Sequence, residues 1–523
     1  MRYLVIISAF FLLSFCIASI ACGQGKASLP HIIWISFEEL SGVTFRPGDS
    51  IIKTPALNRV VKQSLWFENA YAMAAAAIPS QAGIQSGLYP TTFGAMHQSS
   101  GNGGENAVLP GKHHWLVEEM RMKGYFTMQF GQHSLKLPPS IWQMSYNDSR
   151  FLTDTLSYQL KRVAAQTPVF LHIRLAAPTN EALGKYAVSD KVRLPHYFAD
   201  NAEAKQEWQN AYRRAAFANE QLGKIWEILE KQQGLLSKSY VFVFGENGFR
   251  CSCAPQLLYE ENIRVPLLVR TPEGKAAHVK KIVSLADLMP TTLAIAKVNT
   301  GLSFPGLHLI NSKQAHTAVV TSSDRINEHP DRIRAVRSGS LKYIRNFRKD
   351  LPFIPYHLLQ ENCSHRLLAE AAPNSSIVLL TKSIKPIEEL YDLSKDPWEQ
   401  QNLANHPDYQ NDLQRMRNYC DHWVNATGDL GGLTEAAMRA MLWKSTSQPV
   451  SQEPHFAKTK DNKISISSPT EGAAILYRLD WENEWHYYTR PITLQPGMTI
   501  SAKSVKHGLR ESKEITVKFS SGR

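Results

Sequence analysis

Three short apolar runs constrain this chain most: His31-Ile32-Ile33-Trp34-Ile35-Ser36-Phe37, Pro168-Val169-Phe170-Leu171-His172-Ile173 and Tyr240-Val241-Phe242-Val243-Phe244. Each has strand length and lacks the polar–apolar alternation of a strand with one wet face. Such strands are buried on both sides, as in the mainly parallel sheet of a layered α/β domain. The runs lead into Glu38-Glu39, Ala176-Ala177-Pro178-Thr179 and Gly245-Glu246-Asn247-Gly248. In open α/β sheets ligands bind beyond the carboxyl ends of the strands. Two strands that deliver carboxylates there point to a hard-cation or anion site. A helical pattern spans residues 205–232, with Trp208, Tyr212, Ala215, Leu222, Ile225, Trp226 and Leu229 forming a core-facing stripe.

At 523 residues the chain exceeds one typical domain. Residues 28–320 read as the α/β core. Residues 321–443 read as a small antiparallel subdomain: Arg334-Ala335-Val336-Arg337 and Leu341-Lys342-Tyr343-Ile344-Arg345 pair around Ser338-Gly339-Ser340, and a helix covers about 406–424. Asp287, at a helix start, reads as a structural acid. A polar linker, 444–462, precedes short β-like segments in 463–523, the pattern of a small all-β module.

Residues 1–22 have the anatomy of a secretory signal: Arg2, an apolar run from Leu4 to Ile20, then Ala21 and Gly23 as small residues. The run approaches membrane-spanning length, but no basic stop-transfer cluster follows closely. Ser19-Ile20-Ala21-Cys22 also resembles a loose lipobox. Two outcomes stand open for a bacterial protein: an outer-membrane lipoprotein anchored through Cys22, or cleavage after Ala21 and export to the periplasm. The remaining cysteines, Cys251, Cys253, Cys363 and Cys420, permit two disulfides in an exported chain. No second ligand pair stands at zinc-like spacing from Cys251 and Cys253. The formal charge of +12 favours anionic partners such as sulfated glycans or membrane headgroups. The positive residues are scattered, which also suits an ordinary solvated surface, and no nucleic-acid-binding module is present.

One stretch of the chain is Ala74-Ala75-Ala76-Ala77-Ile78-Pro79-Ser80-Gln81-Ala82-Gly83-Ile84-Gln85-Ser86-Gly87-Leu88-Tyr89-Pro90. It is joined by Ile33-Trp34-Ile35-Ser36-Phe37-Glu38-Glu39, Thr54-Pro55-Ala56-Leu57-Asn58-Arg59 and Phe67-Glu68-Asn69-Ala70-Tyr71. Later come Leu258-Tyr259-Glu260-Glu261-Asn262-Ile263-Arg264-Val265-Pro266-Leu267-Leu268-Val269-Arg270 and Glu389-Leu390-Tyr391-Asp392-Leu393-Ser394-Lys395-Asp396-Pro397-Trp398-Glu399. Together these resemble the sulfatase family of the alkaline-phosphatase superfamily, especially the bacterial branch related to N-sulfoglucosamine sulfohydrolase. Residues 464–519 resemble a chitobiase-type C-terminal β domain. The resemblance implies an α/β sandwich with a mainly parallel central sheet, a small antiparallel C-terminal subdomain and an appended all-β module.

Hydrolysis of a sulfate ester or sulfamate needs an oxygen nucleophile, cations around the sulfate and an acid for the leaving group. The family carries Cys-x-Pro-Ser-Arg, whose Cys becomes the formylglycine that attacks sulfur. Here Ala77 stands at the Cys and Gln81 at the Arg, so no formylglycine can form. Ser80 reads as a helix-start hydroxyl. Gln132 stands at the family's Gly-Lys lysine, Thr179 at its Pro-His histidine and Pro255 at its second lysine. His133 and Arg250 are the remaining candidates nearby, and His97 matches a further family histidine. The resemblance implies a calcium ion: Glu39 and Glu246 stand where Asp is expected, Glu38 is adjacent and Asn247 fits a ligand position. Glu is longer than Asp by one C–C bond, about 1.5 Å, which a tight site must absorb, so bound and absent calcium both stand open.

Loss of the nucleophile, the Arg, both Lys and the His together describes a catalytically inactive pseudo-sulfatase that binds a glycan or another partner. The backbone N–H groups at the start of its helix near Ala77–Ser80 still suit an anion. Two alternatives remain: a divergent sulfuric-ester or sulfamate hydrolase using water on a metal held by Glu39, Glu246 and Asn247, and a structural or adhesive surface protein.

Overall fold

The computed structural model describes residues 29–97, 107–131, 135, 137, 141–147, 152–165, 167–195, 198–252, 255, 257–310, 312–327, 329–353, 384–461 and 463–519. The signal region with Cys22, and Gln132, His133, Cys253 and Cys363, lie outside these residues.

The eight strands of the central sheet are β1 (His31–Phe37), β2 (Leu65–Tyr71), β3 (Phe126–Phe130), β4 (Met144–Tyr146), β5 (Val169–Leu175), β6 (Ser239–Gly245), β7 (Arg264–Arg270) and β8 (Ala277–Ser284). Their order is β4-β3-β5-β1-β6-β7-β2-β8. All neighbours are parallel except β7, which runs against β6 and β2. The near-continuous apolar run of β1 has a direct cause. Ile33, Ile35 and Phe37 enter one core with Trp208, Leu222 and Trp226, from the helix Ala202–Lys231. Ile32 and Trp34 enter the opposite core with Met73, Ile84 and Trp115. Successive side chains alternate between faces, and both faces are covered. No helix among the described residues is long and apolar enough to cross a membrane.

A second sheet, of β9 (Val319–Ser323), β10 (Ile333–Ser338), β11 (Leu341–Asn346) and β12 (Glu388–Asp392), is antiparallel throughout. The helix Gln410–Thr427 covers it through Leu413, Met416, Cys420 and Trp423. The Cys420 thiol is free, and burial pushes it up to about 12. Asp287 is structural: its carboxylate accepts from the backbone N–H of Ser284 and Leu307 and pairs with His316.

The C-terminal part holds two sheets. The first is β13 (His455–Lys458), β14 (Lys463–Ser467) and β17 (Ile492–Thr493); the second is β15 (Ala474–Leu479), β16 (His486–Tyr487), β18 (Thr499–Val505) and β19 (Ile515–Lys518). They enclose Ile464, Ile466, Ile475, Ile500 and Ala502. β13 falls in the stretch read as linker. It offers only one half-buried apolar residue, Phe456, so its pairing with β14 leaves little hydrophobic signal.

Candidate active site

The site forms where β5, β1 and β6 lie side by side. Parallel pairing places Ser36 opposite Arg174 and also opposite Phe244. Residues two apart along a strand share a face, so Trp34 and Ser36, His172 and Arg174, and Phe242 and Phe244 line one face of the sheet. Glu246 follows immediately after β6, where its N–H donates to the Phe37 carbonyl at 2.8 Å. The helix Ala77–Ser86, buried along its whole length, lies over this face. Its Ala77, Gln81 and Gln85 stand at four-residue spacing and form one row.

Glu246 is the centre of the arrangement. Its Oε1 accepts from Ser36 Oγ at 2.7 Å and Arg174 Nε at 3.1 Å. Its Oε2 accepts from Gln81 Nε2 at 2.8 Å and from the same Arg174 Nε at 3.0 Å. Arg174 reaches on through Nη2 to Glu38 Oε2 at 3.1 Å. The Arg174 and Glu246 side chains are each 1% exposed. Burial works against the charge of Arg174, but Glu246 and Glu38 outweigh it and hold the guanidinium above its ordinary range. His172 Nε2 lies 2.9 Å from Ser36 Oγ, and Gln85 Nε2 lies 3.2 Å from His172 Nδ1. Burial, reinforced by Arg174, pushes His172 down to about 3, so the ring is neutral. With Ser36 donating to Glu246, His172 donates from Nε2 and accepts at Nδ1.

Ala77 is the first residue of its helix and 5% exposed. Gln81 is fixed from both ends, because its Oε1 also accepts from Leu135 N at 3.1 Å. Ser80 does not cap the helix; Ala76 stands at that position with no side-chain bond. Its hydroxyl instead donates to the Glu246 carbonyl at 2.5 Å, tying the helix to the end of β6. Asn247 accepts from Glu39 N at 3.1 Å and donates to the Ala75 carbonyl at 3.1 Å, clamping the approach to the helix. Glu39 has φ of 53°, a left-handed conformation uncommon for a side-chain-bearing residue. Its carboxylate pairs with Arg214 at 3.4 Å and Arg250 at 3.1 Å, away from Glu246. Thr179 is the exposed N-cap of the short helix Asn180–Leu183, accepting from Ala182 N. Pro255 is a half-buried turn residue. His97 has a buried Nδ1 without a hydrogen-bond partner, and burial, with Arg325 beside it, holds it down at about 4.

The four residues named for a calcium ion therefore do not share one centre. Glu38 and Glu246 face Arg174, Glu39 faces two other arginines, and the Asn247 amide is spent on backbone. Among the described residues no group of three or more His, Cys, Asp or Glu is placed to hold a metal ion. This donor set does not fit a resident calcium, which needs six to eight converging oxygens at 2.3–2.6 Å.

Ser36, Gln85, His172 and Arg174 were absent from the sequence-based candidates. A signal for two of them existed. His172 and Arg174 interrupt a doubly buried strand at alternate positions, and a buried arginine requires a counter-ion. The partner could not be read off, because Glu246 is 72 residues away along the chain.

Residues 30–298, just over half of the chain, match the sulfatase family model. An ulvan-active sulfatase of Formosa agariphila is 28% identical over 552 residues, spanning 94% of this chain and 91% of that protein. A solved 2-O GAG sulfatase superposes with a TM-score of 0.58 at 17% identity, covering 79% of this chain and 96% of its own. A second solved structure, in complex with its substrate D-glucosamine-2-N,6-O-disulfate, gives a TM-score of 0.56 at 16% identity, covering 77% and 99%. The two structures establish the shared fold, and the family match, with the motifs that line the site, establishes that this chain belongs to the sulfatase family.

Proposed function

We propose that this is a sulfatase-family protein without sulfatase turnover, exported from a bacterial cell, that binds a sulfated glycan. The observation that carries the reading is Ala77, a buried methyl group at the head of the row that continues through Gln81 and Gln85. A methyl supplies neither a nucleophile nor a precursor of one. The nearest hydroxyl along the helix, Ser80, is committed to the Glu246 carbonyl. The Glu246 carboxylate, which the hydrolase alternative would use, is already bound by Ser36, Gln81 and Arg174. The names of the relatives support the ligand class: one acts on ulvan and another holds a disulfated glucosamine.

The test is a paired measurement on purified protein. Incubation with sulfated oligosaccharides, sulfamates and phosphodiesters is expected to release no inorganic sulfate or phosphate above buffer. Titration calorimetry with the same oligosaccharides is expected to show binding that weakens with salt and disappears after chemical desulfation. Turnover that Glu246→Ala abolishes would overturn the non-catalytic reading and favour the metal-activated-water alternative. Absence of both turnover and binding would leave the structural role.

A further inference from the structure

We propose that the Arg174 guanidinium is the resident cation of this site, built into the chain in place of a divalent metal, so that the folded protein neither needs nor holds one there. The inference stands on the ion-pair geometry and does not require the glycan reading.

Glu38 and Glu246 follow the ends of the neighbouring strands β1 and β6, so their charges meet beyond the carboxyl ends of the sheet. Two carboxylates there need a cation. Arg174 enters from the strand on the other side of β1, opposite Ser36. The main chain of Arg174 is itself closely packed. Gly131, with φ of +90°, passes so close that a Cβ on it would lie 1.9 Å from the Arg174 carbonyl oxygen. The planar guanidinium spreads several donors from one positive centre. Nε addresses both oxygens of Glu246, and Nη2 addresses Glu38. Each Glu246 oxygen accepts one further donor, Ser36 or Gln81. The lone pairs a metal would use are therefore taken, and a divalent ion beside the guanidinium would meet a like charge in a buried setting. Removing Arg174 reverses both conditions, leaving two close carboxylates, the Ser36 hydroxyl and the Gln81 amide without a cation.

The experiment compares full-length wild-type protein with Arg174→Ala by metal analysis and thermal melting. The wild type is expected to carry no stoichiometric calcium, magnesium or zinc, and to melt at the same temperature with EDTA or with millimolar calcium. Arg174→Ala is expected to melt lower, and millimolar calcium is expected to raise its Tm by at least about 2 °C. That rise should vanish in Arg174→Ala/Glu246→Ala. About one bound metal per wild-type chain, or a wild-type Tm lowered by EDTA, would overturn the proposal. So would a soluble Arg174→Ala that ignores calcium. If Arg174→Ala gives no soluble protein, Arg174→Lys is read instead: metal-free and EDTA-insensitive supports the proposal, calcium-requiring overturns it. Sulfate release separates this idea from the functional one. Metal-free turnover would defeat the non-catalytic reading alone, and an inert metal-bound wild type would defeat this inference alone.

Discussion

Gln81 lets the proposed non-catalytic reading be tested at the scale of one residue. Its amide bridges Glu246 and the Leu135 N–H, and so it belongs to the buried network around Arg174. Ala77→Cys would recreate the family's first motif residue but not its Arg, and the surrounding side chains would remain engaged with one another. That variant is expected to show no sulfate release, measured with aryl sulfate and sulfated-sugar substrates. His172 gives a second prediction at this scale. The charged groups near it are Arg174 on its own strand and Glu246, reached through Ser36 of β1; from the covering helix it meets the uncharged Gln85. Its folded pKa lies below the unfolded value, so the stability it contributes is present above about pH 6.5 and lost as pH falls toward its folded value. Between about pH 7 and about pH 5 this costs roughly 2 kcal/mol. Denaturant titrations across that range should show a shallower pH slope for His172→Gln than for wild type.

At the scale of elements, the helix Ala77–Ser86 is held by tertiary bonds rather than by its own sequence. It has no side-chain cap, and Gly87 ends it in a left-handed conformation at φ 67°. Ser80 and Gln81 bind it to β6. The helix Ala202–Lys231 is the opposite case, with Asn201 capping it through Ala204 N at 2.9 Å. Asn201→Ala should therefore cost about 1 kcal/mol by chemical denaturation. Gly131 stands at the end of β3, where a side chain would strike the Arg174 carbonyl and the backbone is left-handed. Gly131→Ala is expected to cost at least about 2 kcal/mol, a loss an ordinary loop glycine would not show.

Across the whole molecule, the four-stranded C-terminal sheet is packed on the core rather than hanging from a tether. Leu476, Tyr487 and Val505 share a buried cluster with Trp115, Leu116 and Met120. Tyr487 donates to Glu118 at 3.3 Å and lies under the Arg121 guanidinium, while Lys506 donates to the Gly111 carbonyl. Calorimetry should consequently show this part unfolding with the core in one transition. Tyr487→Ala should lower that transition, or split it, by removing a buried aromatic at a cost of about 3–5 kcal/mol. Two well-resolved transitions in the wild type would contradict the docking.

The sequence by itself determined the doubly buried strands, the core-facing stripe of Trp208, Tyr212 and Trp226, the antiparallel pair around Ser338-Gly339-Ser340, and that residue 77 is an alanine. Those features are local: periodicity, turn chemistry and the identity of one side chain carry them. The tertiary structure decided what the carboxylates do. Glu38, Glu39, Glu246 and Asn247 read as one ligand set because they end neighbouring strands, yet φ at Glu39 turns its carboxylate toward Arg214 and Arg250, and Glu246 goes to Arg174. A charge selects its partner through space, over a few ångströms, between residues far apart along the chain. Only the register of β5 against β1 brings Arg174 opposite Ser36 and within reach of Glu246.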